Sequence, residues 1–141
     1  MTEGNTPIIE FKGYSIKNLE YTRDVDILSS YDSGFNYIPS VGLNDDKSKA
    51  TLTVDISLKR EENNFGVKVK IQGQFNINES LSAKNTDDIA AALFVNGTAI
   101  LYPYARSIVS MITGLDSSST ILLPTINTTE LWKKFGKNSN K

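Results

Sequence analysis

Two stretches decide the fold. Ala50-Thr51-Leu52-Thr53-Val54-Asp55-Ile56-Ser57-Leu58-Lys59 alternates apolar and polar side chains without a break. Phe65-Gly66-Val67-Lys68-Val69-Lys70-Ile71-Gln72-Gly73-Gln74-Phe75-Asn76-Ile77 does the same, with Gly73 in the apolar phase. A period of two is the signature of a strand with one dry face and one wet face. The polar segment Arg60-Glu61-Glu62-Asn63-Asn64 between them is short enough for a hairpin turn, so the pair is antiparallel. Its apolar face needs a cover.

Upstream, Ile9 to Tyr21 reads as a third strand whose phase changes after Gly13, which predicts a bulge there. Thr22 to Pro39 is rich in Asp, Ser, Asn and Gly, and reads as a long loop carrying Tyr31, Phe35 and Tyr37. Ser40 to Leu43 supplies a short fourth strand. Downstream the spacing turns helical. Thr86 is placed to cap a helix over 87–94, which Asn96-Gly97 would end. The main helix runs from about Ile100 to Thr113, and a last one starts at Asn127 with Leu131, Trp132 and Phe135 on one side. Four strands followed by helices make an α+β domain: a four-stranded antiparallel sheet with two main helices packed on one face.

The length of 141 residues suits a single domain over 1–141, with an ordered core at about 8–136 and flexible termini. Fifteen basic residues against sixteen acidic ones leave a net charge of −1, which argues against a polybasic nucleic-acid binder. The outer sheet face carries Lys59, Lys68 and Lys70 without aromatic platforms, so no nucleic-acid partner is expected. With neither cysteine nor histidine, thiolate and histidine nucleophile pairs, histidine bases and most transition-metal sites are excluded. The acidic pairs Asp45-Asp46, Glu61-Glu62 and Asp87-Asp88 sit on turns or a helix start, where solvation or the helix dipole explains them. No glycine pattern makes a phosphate loop. The expectation is a protein that is not an enzyme, with no catalytic residue, no metal and no cofactor. With no leader-like start and no apolar run of membrane-spanning length, it is expected to be cytoplasmic and not inserted in a membrane.

The main helix is apolar over more than half its circumference; only Arg106, Ser110 and Thr113, with Ser107 beside them, form a polar stripe. A surface helix needs a narrower apolar face. Either a second subunit covers the far side, through residues such as Tyr104, Ile108, Met111 and Ile112, or a long loop folds over it. The loop aromatics carry a similar choice between a plug pinned to the domain and the wall of a groove for another polypeptide.

Ala99-Ile100-Leu101-Tyr102-Pro103-Tyr104-Ala105-Arg106 resembles the I-L-F-P-Y-A-R signature of the SecB export-chaperone family. Leu123-Pro124-Thr125-Ile126-Asn127 with Glu130-Leu131-Trp132 is similar to that family's L-A-P-V-N-F-D-A-L-F segment. Gly73, Phe75, Asn76 and Ile77 resemble its G-I-F-S-I strand end, and Tyr37-Ile38-Pro39-Ser40-Val41 its W-Q-P-E-V. The likeness runs with gaps over about Phe11 to Trp132.

The resemblance implies a homotetramer built as a dimer of dimers, with the long helices at the interface. It also implies ATP-independent binding of unfolded polypeptides, including preproteins for export. By position, Tyr37 and Phe65 match the family's aromatic groove residues, and Phe35, Leu131 and Trp132 are nearby candidates. The positions where the family carries acidic residues for the SecA motor are Asn18, Thr22 and Lys68 here, and an apolar contact position is Gly66. Lost charge complementarity counts against SecA as a partner. A SecB-like module dedicated to one partner, such as an antitoxin, is the alternative.

Overall fold

A computed structural model of the chain describes residues 9–79, 85–116, 121 and 123–136. The expected flexible ends, and the basic tail from Lys137 to Lys141, lie outside the described residues. Four antiparallel strands, β1 (Ile9–Thr22), β2 (Gly34–Leu43), β3 (Lys49–Arg60) and β4 (Phe65–Ile77), form one sheet in the order β1-β4-β3-β2. The central hairpin is as the alternation predicts. Leu52, Val54 and Ile56 face Gly73, Ile71 and Val69 across it, and all four of β3's and β4's central apolar side chains Val54, Ile56, Val69 and Ile71 are buried. Asn64, in the left-handed region at φ 53°, closes the turn. Asparagine tolerates that conformation better than most residues.

β1 carries two bulges, one more than its sequence suggests. Its register on β4 shifts between Phe11 and Gly13 and again between Ile16 and Asn18. Each shift absorbs one residue, Lys12 and Lys17, and so brings Ile9, Phe11, Tyr14, Ile16, Leu19 and Tyr21 onto one face. Gly13 adopts φ 123°, a conformation open mainly to glycine.

The expected long loop is a correction. Asp24 caps a one-turn helix, α1 (Val25–Leu28), accepting from the Asp26 and Ile27 amides at 2.9 and 3.2 Å. The chain then enters β2 at Gly34, so the strand starts six residues before the expected Ser40. Tyr31 lies between these elements, while Phe35 and Tyr37 are strand residues. β2 hides in the sequence because its outward positions Asn36, Ser40 and Gly42 are short and loop-like while the outward Ile38 is apolar and exposed, so the alternation of a half-buried strand is broken. Tyr31 and Leu28 are buried on the outer face of the sheet, directly over Gly66. A Cβ on Gly66 would lie 2.6 Å from atoms of both. Lys68 covers the Tyr31 ring at 4.3 Å, and the Tyr31 hydroxyl donates to Glu20. Burial, reinforced by Glu20, raises the Tyr31 pKa.

Helices cover the inner face. α2 (Thr86–Ala92) is capped by Asn85, not Thr86: the Asn85 side chain accepts from the Asp88 amide at 2.8 Å. It does not stop at Asn96-Gly97. A π-helical turn over Leu93–Gly97 joins it to α3 (Thr98–Gly114). Gly97 is a packing residue here: an added Cβ would meet Leu52 at 3.0 Å. Gly73 plays the same part on the sheet, with Leu101 lying 2.8 Å from where its Cβ would be. These two glycines let the helical layer sit close on the strands. Asn127 caps α4 (Thr128–Leu131) through the Glu130 amide at 2.9 Å, as its sequence predicts, and a π-helical turn over Trp132–Gly136 follows.

Candidate functional site

An open groove of about 600 Å³ lies where the free edge of the sheet meets the helical layer. One wall is the second half of β2, with Pro39, Val41 and Leu43 turned inward. The other wall is α2 with the turn that follows it, and the floor ends on Phe94, Trp132 and Phe135. The Phe94 ring meets Trp132 edge-on at 5.5 Å and stacks on Phe135 at 6.3 Å. Phe94 is buried while Trp132 and Phe135 are half-buried, so two rings of this cluster have a face left to offer. Lys134 lies over the Phe135 ring at 5.3 Å, and Asp87 stands at the lip. The lining suits an extended apolar segment: aromatic rings provide contact area at low conformational cost.

The five expected groove residues are spread between the interior and this site. Tyr37 is buried at 7% exposure; its hydroxyl donates to Thr98 at 3.0 Å, and its ring meets Tyr102 edge-on at 5.9 Å. Burial pushes its pKa up to about 12. Phe65 is 1% exposed, against Tyr21 at 5.5 Å and beneath the Arg23 guanidinium at 5.8 Å. That guanidinium donates to Asp116 at 2.6 Å and to the Asn63 carbonyl at 2.7 Å. Tyr21 also donates to Asp116, and the two hydrogen bonds hold its carboxyl below its ordinary pKa. Phe65 is therefore sealed under a polar clasp tying β1, the β3–β4 turn and the end of α3. Phe35 and Leu131 are half-buried against the core. Trp132 alone of the five lines the groove.

Phe94 and Phe135 complete the ring cluster. Phe135 shares a helical side with Trp132 in the sequence, whereas nothing local marks Phe94, which faces the cluster only through the π-helical turn.

On α3, Leu101, Ala105 and Val109 are buried against the sheet, while Ile108 and Ile112 are half-buried. Tyr104 and Met111 are 42% and 67% exposed. The Tyr104 ring lies tilted against Tyr14 at 4.8 Å and stacks on Phe11 at 5.9 Å, and further along β1 the inward-phase Ile16 and Leu19 are also exposed. The polar stripe is only partly as expected. Thr113 is buried, bonding to the Val109 carbonyl at 2.7 Å and accepting from the Ile121 amide at 2.9 Å.

Chemistry is sparse elsewhere. Among the described residues no cluster of three or more Asp, Glu, His or Cys is placed to hold a metal ion. No helix among them is long and apolar enough to cross a membrane. On the outer face, Asn18, Asp32, Asp55, Lys68 and Lys70 border a site of about 330 Å³ with charges of both signs.

Comparison with known proteins agrees with this architecture. The SecB protein-export proteins of Wolbachia pipientis wMel and of the Wolbachia strain wRi from Drosophila simulans are each 26% identical to the chain over 103 residues. Each match covers 67% of the chain and spans 61% of the relative's length. A solved SecB-like chaperone of Mycobacterium tuberculosis, in complex with a peptide from an antitoxin, superposes with a TM-score of 0.66 at 15% identity. That superposition covers 84% of this chain and 91% of the other. A Streptococcus agalactiae protein of unknown function superposes at 0.59 with 12% identity, over 83% of this chain and 97% of its own. The family model for the preprotein translocase subunit SecB matches residues 38–139, well over half of the sequence. This α+β chain belongs to the SecB family.

Proposed function

We propose that the chain is an ATP-independent chaperone that holds extended, apolar polypeptide segments in the groove between β2 and the Phe94–Trp132–Phe135 cluster. The observation that carries this reading is the cluster itself. Two half-buried rings stand beside the edge of β2 that no described strand pairs, in a groove of about 600 Å³. The peptide-bound state of the Mycobacterium tuberculosis relative supports a polypeptide as the occupant. The chemistry needed is binding alone, in keeping with a sequence that lacks cysteine and histidine.

An antitoxin-like or otherwise dedicated client fits the outer face better than SecA-coupled preprotein export does. Asn18, Thr22 and Lys68 carry no negative charge there, and the chain's own Leu28 and Tyr31 cover Gly66. A second copy of the chain is the natural cover for Tyr104, Ile108, Met111 and Ile112, since Tyr104 and Met111 are exposed, as are Ile16 and Leu19 in the inward phase of β1. Light scattering of an unfolded client during dilution from denaturant, without nucleotide, tests the reading. Suppressed aggregation at stoichiometric chaperone is expected, and unchanged aggregation at excess would overturn it.

A further inference from the structure

We propose that the bound polypeptide adds to the sheet as a strand along the free edge of β2, held by its backbone as well as by its side chains. This rests on the groove being the client site. β2 pairs only with β3 among the described strands, and its register runs from Gly34 to Leu43 without a shift. Just beyond it, the Asn44 amide donates to the Lys49 carbonyl at 3.1 Å. In an antiparallel ladder, alternate residues bond the partner and the ones between direct N–H and C=O away. Asn44 therefore sets the phase: Tyr37, Pro39, Val41 and Leu43 direct their backbone groups to the open side. Pro39, which has no N–H to give, falls in that outward set, where a strand tolerates proline.

The same odd-numbered residues turn their side chains to the inner face, and Pro39, Val41 and Leu43 line the groove. Backbone groups and apolar lining thus converge on one track. The other edge of the sheet is unsuited to the same use: β1 is interrupted by two bulges that absorb Lys12 and Lys17, a common guard against strand pairing. An extended peptide on β2 would satisfy edge groups every second residue while alternate side chains reached Trp132 and Phe135.

The test is an N-methyl scan of a short fluorescein-labelled peptide with Leu and Ser at alternate positions, read by anisotropy with the full chain. Strand addition predicts loss of affinity with a period of two: methylation at alternate residues weakens binding about tenfold, and at the intervening ones it is tolerated. Val41→Pro, which removes one outward N–H, is expected to weaken binding about tenfold more than Val41→Ala does. Circular dichroism and sedimentation of both variants should match the parent chain. Uniform tolerance or uniform loss across the scan would overturn strand addition while leaving the groove intact. So would a change of oligomeric state in Val41→Pro without a periodic scan, because the edge would then join two copies. Failure of the unmethylated peptide to bind would overturn the groove reading itself.

Discussion

Replacing Phe65 by alanine separates burial from binding at a position that the family resemblance assigns to the groove. The side chain is 1% exposed, in contact with the Tyr21 ring and roofed by Arg23. Truncating a buried phenylalanine costs about 3–5 kcal/mol, combining lost transfer energy with the cavity left behind. Phe65 opens β4 next to a turn, so partial collapse is possible and the lower half of that range, about 3–4 kcal/mol, is expected. Domains of this kind carry roughly 5–15 kcal/mol in total, so a large part of the margin goes. With a urea slope of about 2 kcal/mol per molar, the midpoint should fall by about 1.5–2 M. Urea titration followed by circular dichroism gives that shift, and peptide anisotropy on the folded fraction gives affinity. Affinity per folded molecule should stay at the parent value. A variant that keeps its midpoint within about 0.5 M but loses peptide binding would refute the burial argument.

Tyr37→Phe strips a hydroxyl from a buried pair and leaves the Thr98 hydroxyl, at 0% exposure, without this donor. A loss of about 1–2 kcal/mol in urea is expected, with peptide affinity unchanged. Asp116→Asn tests the clasp through pH. The folded carboxyl titrates below its ordinary 3.8, so its contribution is present above that value and is lost as pH falls through the lowered folded pKa. The stability gap between parent and variant, followed by thermal melts across the acid range, should therefore close on acidification; a gap that widened would contradict the clasp. Met111→Asp places a charge on a side chain that is 67% exposed in the single chain, so the subunit should fold normally. If a second copy covers it, the buried charge costs several kcal/mol per interface and sedimentation shows a smaller species. A parent chain that is monomeric at micromolar concentration would count against the assembly.

The hairpin was legible because its outer face is wet: solvent on one side forces strict alternation of Ala50 through Lys59 and of Phe65 through Ile77. β1 was half legible. One bulge announces itself through Gly13, but Lys17 in the second resembles any exposed strand residue. Most of β2 is illegible because the outward Ile38 breaks the alternation and Asn36, Ser40 and Gly42 have loop composition. Gly97 looked like a helix terminator, and its real constraint, closeness to Leu52, is tertiary and leaves no local mark. The same limit applies at the site. Trp132 and Phe135 could be grouped by helical spacing, but Phe94 joins them only in three dimensions. Phe65 shares the inward phase of Val67 and Val69, whereas Tyr37 has loop-like neighbours in the sequence and its burial follows from the pairing of β2 with β3.

Trp132 is the chain's single tryptophan and it lines the groove, so its emission reports directly on occupancy. Titrating the protein with an unfolded, tryptophan-free client, without nucleotide, should shift that emission to the blue along a saturating curve as the half-exposed indole is covered. Trp132→Ala should lower client affinity, measured by anisotropy, while leaving the urea midpoint nearly unchanged. Client binding that leaves the emission unmoved and survives Trp132→Ala would contradict the claim that this groove is where the chain holds polypeptides.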